Sequence, residues 1–238
     1  GVCGGDSALD DCGVCDGGNA DDLGCGCFED GPSGCDNECG STAVEDNCGV
    51  CDGDGTSCLA SLSLGAFDSS GTLEVLYDFG GPVAGFQFDV TGLALTGGSS
   101  GAAADAGLTV SVGGATVLGF SMAFDNAEIP AGSGLLTVLS FSDVTDGTTE
   151  LSLGNFGAVT DAAGNVYETS ASGDVAHGAP DCSGDYYGTS WDSDCGCVAA
   201  DNSGDDCDDC AGVPNGTSWD SDCGCVAADN SGDDCDDC

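Results

Sequence analysis

Aspartate and cysteine are the residues whose number and spacing in this 238-residue chain point to chemistry. Of its 43 acidic residues only seven are Glu; there is no Lys or Arg, and a single His stands among 19 Cys and 43 Gly. The aspartates lie beside Gly, Asn and Ser, at turn positions where carboxylates and backbone carbonyls converge, and they recur in fixed register with Cys. Hard cations take about six to eight such oxygens, and irregular loops suit calcium better than the strict octahedron of Mg²⁺. The candidate calcium ligands are Asp192, Asp194, Asp201, Asp205, Asp206 and Asp208, with Asp220, Asp222, Asp229, Asp233, Asp234 and Asp236 as their repeats. In the first part of the chain they are Asp10, Asp11, Asp16, Asp46, Asp52 and Asp54. The competing reading is a solvated acidic run kept for solubility. Runs of that kind mix Glu with Asp and carry no period, unlike this one.

The cysteines admit two chemistries. Cys12-x2-Cys15, Cys48-x2-Cys51 and Cys207-x2-Cys210 have the spacing of zinc ligands. A repeated, Gly-rich, loop-rich composition instead suits an oxidised framework in a secreted protein, and disulfides are the expectation. Their connectivity does not follow from the spacing. Only near neighbours such as Cys195 and Cys197 are excluded, by ring strain. Asn215-Gly216-Thr217 fits an N-glycosylation acceptor at Asn215. Trp191 and Trp219 occupy equivalent repeat positions and read as apolar anchors rather than saccharide platforms. His177 reads as a linker residue.

Charge excludes several functions. A formal charge of −43 with no cation leaves nothing to neutralise phosphate, so nucleic acid is not an expected partner, nor is an anionic membrane surface. No apolar run reaches the roughly 18 residues of a membrane span. With one His, no cation to hold an anion and no nucleophile motif, an enzyme is not expected.

The elements that must hold these residues fall into three segments. All 19 Cys lie in residues 1–58 and 182–238, and the stretch between carries most of the aliphatic residues. The expected domains are therefore a Cys/Asp-rich block over 1–58, a β-sandwich over 59–180 and Cys/Asp-rich 28-residue repeats over 181–238. The sequence from Gly188 to Cys210 recurs unchanged from Gly216 to Cys238, and Cys3, Cys12 and Cys15 recur as Cys39, Cys48 and Cys51. Both outer repeats look cut, so the chain reads as a window on a longer protein. In the middle segment, period-2 alternation marks short strands near 61–67, 73–79, 86–90, 108–112, 116–122, 135–141 and 149–156. Seven or more such strands predict an antiparallel β-sandwich, with one helical turn near 101–107.

The residues from Val83 to Val90, with those from Ile129 to Phe141, resemble cohesin-type domains. That resemblance covers roughly residues 60–175; it implies a jelly-roll-like sandwich and the docking of calcium-binding dockerin modules. The residues from Asp201 to Cys210, with Asp52-Gly53-Asp54-Gly55 as a shorter relative, resemble the calcium repeats of thrombospondin type 3, although the full alternating Asp-x-Asp-x-Asp-Gly run is missing; those from Cys12 to Gly18 and from Cys48 to Asp54 resemble Cys/Gly/Asp repeats of large bacterial surface proteins. The expected protein is a structural segment of a secreted, repetitive surface or filament protein, made rigid by Ca²⁺ and disulfides and self-associating into a fibre. The alternative is a cohesin-like or carbohydrate-binding module on a calcium-stabilised stalk, with a dockerin or glycan as partner. Either belongs outside the cell or at its surface.

Overall fold

The computed structural model describes residues 3–121 and 127–232. Two sheets carry the middle of the chain. The first contains β1 (Leu59–Asp68), β2 (Thr72–Phe79), β4 (Leu93–Ser99), β7 (Gly132–Val144) and β10 (Glu168–Ser172), in the order β10-β1-β2-β7-β4. The second contains β3 (Gly85–Thr91), β5 (Thr109–Gly113), β6 (Thr116–Phe120), β8 (Thr148–Ser152) and β11 (Asp174–Ala176), in the order β11-β8-β3-β6-β5, with β9 (Ala158–Thr160) also pairing β3. A single helical turn, α1 (Gly101–Asp105), follows β4. The fold is an antiparallel β-sandwich, as the alternation predicts. One pairing departs from that pattern: β1 and β10 run parallel.

Alternation dictates which side chains meet. In β3, Phe86, Phe88 and Val90 are buried while Gln87 and Asp89 are only partly covered, so one face of the strand is apolar. Leu62, Leu73, Val75 and Phe79 from the first sheet join Phe88, Val117 and Leu151 from the second in one core. Among the described residues its fully buried members include no cysteine, although Cys58 packs against its edge. Ordinary packing of about 120 residues suffices to order such a domain.

The buried core draws on no residue of the flanks, or arms, among those described, apart from Cys58 and Tyr186 packed at its edge. Among the described residues the arms' regular structure consists of two hairpins and isolated bridges such as Leu9↔Cys15 and Glu45↔Cys51. The hairpins pair β12 (Trp191–Ser193) with β13 (Gly196–Val198), and β14 (Trp219–Ser221) with β15 (Gly224–Val226), in the same register. Covalent cross-links take the place of burial. In the first arm Cys3–Cys15, Cys12–Cys27, Cys25–Cys39, Cys35–Cys51 and Cys48–Cys58 each close a loop that overlaps the next. Cys182–Cys197 interlocks with Cys195–Cys207 in the second arm, and Cys210–Cys225 repeats the first of these. Cysteines equivalent by sequence repeat in the first arm do not pair equivalently: Cys15 reaches back to Cys3, but Cys51 reaches back to Cys35.

Candidate functional site

Four turns in the arms are built on one plan, and a carboxylate closes each. Asp10, Asp46, Asp181 and Asp209 each open the pattern Asp-x-x-Gly-x-x-x-Gly. One carboxylate oxygen of Asp46 accepts the N–H groups of Cys48 and Val50 at 2.8 and 2.9 Å, and the other accepts that of Gly55 at 2.8 Å. The same three offsets recur at Asp10, which takes Cys12, Val14 and Asn19, and at Asp181, which takes Ser183, Asp185 and Ser190. They recur again at Asp209, with Ala211, Val213 and Ser218. Within each turn the glycine three residues on takes a left-handed backbone (Gly13, Gly49, Gly184, Gly212), as does the residue six on (Asp16, Asp52, Tyr187, Asn215). The next glycine in each turn (Gly17, Gly53, Gly188, Gly216) lies so close to the carboxylate that a Cβ would collide with it. Only glycine fits there.

The electrostatics follow from those bonds. N–H donors stabilise the charged form of a carboxylate. The Val14 amide foremost holds Asp10 below the usual carboxylate range, the Val50 amide does the same for Asp46, and the Ser218 amide for Asp209. At Asp181 the Ser183 hydroxyl leads, at 2.7 Å, and the carboxyl falls to about 2. Asp10 and Asp46, two of the candidate calcium ligands, thus turn their carboxylates to their own backbone. Asp11 pairs with the Asn19 carboxamide, Asp16 and Asp52 sit in the left-handed positions, and Asp54 accepts the Thr56 amide and hydroxyl.

A different arrangement occurs beside the first hairpin. Asp192, Asp194, Asp205 and Asp208 line one cavity of about 260 Å³ with Trp191, Ser203 and Pro214. Burial of Asp208, then the negative charges of Asp205, Asp194 and Asp209, push its carboxyl above the usual range. These are hard oxygen donors of the kind calcium takes, but they share a cavity lining rather than a ligand shell, since no three of their carboxylates come within 4.8 Å of one another. Asp201 lies exposed outside that lining, and Asp206 accepts the Asn202 carboxamide at 2.6 Å. In the repeat, Asp220 and Asp222 hold the matching hairpin positions and Asp229 the matching turn, while Asp233, Asp234 and Asp236 lie outside the described residues. Trp191 and Trp219 each press the ring edge onto a buried glycine, Gly204 and Gly232, as the anchors of their hairpins. The metal–thiolate alternative fails on bonding. Cys12, Asp22 and Cys27 lie within 4.8 Å of one another, as do Cys195, Cys207 and Asp208, but in both groups the sulfurs are joined to each other.

Asn215 is exposed, on the left-handed residue of its turn. His177 corrects the linker reading. It is 7% exposed, bonded through Nε2 to the Thr149 hydroxyl at 2.7 Å and through Nδ1 to the Tyr187 hydroxyl at 2.8 Å. The sequence offered a signal for Asp181 and Asp209, the fourfold Asp/Gly spacing, but none for His177.

On the outer side of the second sheet, Leu118 is 39% exposed between its cross-strand partners Gln87 and Ser111. Phe120, two residues on and half-buried, shares that side of the strand. No helix among the described residues is long and apolar enough to cross a membrane.

No family model matches the chain, and no curated protein matches it. Several solved cohesin structures are similar to it. One is the third cohesin of ScaC in complex with the ScaB dockerin from Acetivibrio cellulolyticus, with 11% identity and a TM-score of 0.38 over 49% of this chain and 97% of that one. Another is the cohesin CaCohA2 from Clostridium acetobutylicum, with 15% identity and a TM-score of 0.36 over 50% of this chain and 90% of that one. A non-cellulosomal cohesin from Archaeoglobus fulgidus has 16% identity and a TM-score of 0.35 over 48% and 88%.

Proposed function

We propose that the chain is a docking module carried on stiff, oxidised arms, as part of an extracellular or cell-surface protein. The observation that carries this is the division of labour between its parts. The sandwich orders itself by burial, whereas both arms repeat one carboxylate-keyed turn and lock it with interlaced disulfides, an arrangement that resists extension without a core. An oxidising compartment is where such bonds persist. Absence of Lys and Arg also denies trypsin-like proteases a cleavage site in the arms.

The docking face is the outer side of the second sheet around Leu118, and the partner to try first is a dockerin, the kind of module with which the Acetivibrio cohesin is in complex. Calcium belongs to the same proposal, held by Asp192, Asp194, Asp205 and Asp208, whose carboxylates it would draw together across their shared cavity and neutralise, fixing the loop after the first hairpin. The test immobilises the whole chain and titrates a panel of dockerin modules with calcium present and after chelation. Submicromolar binding lost in Leu118→Asp, with an unchanged thermal melt, supports the reading. No binding by any module, together with fibres seen by electron microscopy, returns the chain to a purely structural strut. Chelation that leaves protection of the second arm unchanged removes calcium from the proposal.

A further inference from the structure

The joint between the sandwich and the second arm contains the one imidazole in the chain. His177 follows β11, and its own N–H donates to the Gly147 carbonyl at 2.9 Å, so the backbone is tied to the loop before β8. Its ring is packed from four sides. Thr149 of β8 bonds Nε2, and Phe67 of β1 stands 4.8 Å away, stacked in turn on Phe141 of β7. Tyr186 and Tyr187 of the arm meet it edge-on at 6.2 and 5.7 Å. Tyr187 is the left-handed residue of the Asp181 turn, with φ 61°. A tyrosine held there carries a strain of about 1–2 kcal/mol. The Asp181 key and the His177 bond oppose that strain.

Of the carboxylates near the ring in sequence, Asp174 and Glu150 are exposed cross-strand partners on strands whose Thr149 is buried, and four others are engaged elsewhere. Asp181 holds its own turn, Asp185 accepts the Ser183 hydroxyl, Asp146 accepts the Gly147 amide and Asp68 accepts the Ser70 amide. The groups that face the imidazole are therefore two phenols, a threonine hydroxyl and a phenylalanine ring. A neutral imidazole has one N–H and one lone pair, so one hydroxyl accepts from it and the other donates to it. An imidazolium has two N–H groups and no lone pair. The donating hydroxyl must then turn round, and a charge must stay in a site that water scarcely reaches. The aromatic faces return only part of that cost.

We propose that this joint is a pH-sensitive latch: neutral His177 clamps Tyr187 to the sandwich, and protonation of its imidazole releases the Asp181 turn. Burial accordingly holds the imidazole below its ordinary value of 6.5. A histidine that is neutral when docked gives its full stabilisation above the free imidazole pKa and loses it as pH falls below that value. The latch does not depend on what the sandwich binds.

The whole chain is the sample. With one His, its ring signals in NMR are unambiguous. They are expected to titrate below 6.5, and exchange of the amides from Ser183 to Ser190 is expected to speed up, after correction for intrinsic rates, between pH 7.5 and 5. The gain is about tenfold for each unit that separates the docked and free values. Core amides of β3 and β7 keep their protection. His177→Gln, which keeps a donor and an acceptor but takes up no proton, makes that exchange independent of pH. Titration at or above the free value, loosening of the Gln variant at the same pH, or simultaneous loss of protection in β3 overturns the latch.

Discussion

Phe88 and Asp46 show how differently the two parts of this molecule are ordered. Phe88 is wholly buried between the sheets, and its contribution is area removed from water, which needs no particular partner. Asp46 is half-buried, outside any apolar core, and its contribution is directional: three N–H groups, fixed by chain spacing, converge on one carboxylate. The first kind of order tolerates exchange of one apolar residue for another. The second does not, because the glycine at Gly53 leaves no room and the donors come from set positions along the chain. Asp161 shows where the two meet. Its turn begins like the others, with the Asn165 amide on its carboxylate and the Gly164 amide on its carbonyl, but strand pairing at Thr160↔Val166 completes it in place of a third amide. A sheet makes the full key unnecessary.

The largest test of this contrast is Phe88→Ala. Removing a buried ring of this kind costs about 3–5 kcal/mol. The sandwich melt should fall accordingly while hydrogen exchange in the arms is unchanged; coupled loss in both would show that they fold as one unit. Next is the double change Cys195→Ser and Cys207→Ser, worth about 2–4 kcal/mol by loop entropy. It should appear as lost protection between Trp191 and Pro214, with the sandwich melt held. Acid has the smallest effect and the sharpest signature. The keying carboxyls have folded pKa values below the ordinary 3.8, so their stabilisation is complete above that value and is lost as pH falls through the folded one, about 2 for Asp181. Protection of the Ser183, Asp185 and Ser190 amides should therefore decline between about pH 4 and 2. Survival of that protection below the window would mean that the carboxylate is not the key.

Much of the sandwich is legible in the sequence because a half-buried strand writes its pleat into alternate residues. The stretch from Leu73 to Phe79 does so, and β2 follows it; Gly101 to Asp105 forms the short helix expected of an Ala-rich turn. β4 and β10 are harder to see. Leu93–Ser99 ends in glycines, and Glu168–Ser172 is polar because its strand lies at a sheet edge, where one face meets solvent. In the arms the Asp/Cys register is visible, yet the function of each aspartate is not. A carboxylate beside Gly and Cys reads alike whether it faces a cation or the amide nine residues on. Asp10 and Asp46 do the latter, while Asp192 and Asp208 face a shared cavity.

Composition and local spacing by themselves determined that the chain has an apolar β-patterned middle between cysteine-rich, acidic, glycine-rich arms, since hydrophobic period, turn residues and repeats act over a few positions. Only the tertiary structure decided that the cysteines join one another rather than a metal and which of them pair, that β1 lies parallel to β10, and that His177 meets Tyr187 beside Phe67. Those contacts join segments with no common sequence period, and closing them depends on how whole sheets and loops pack.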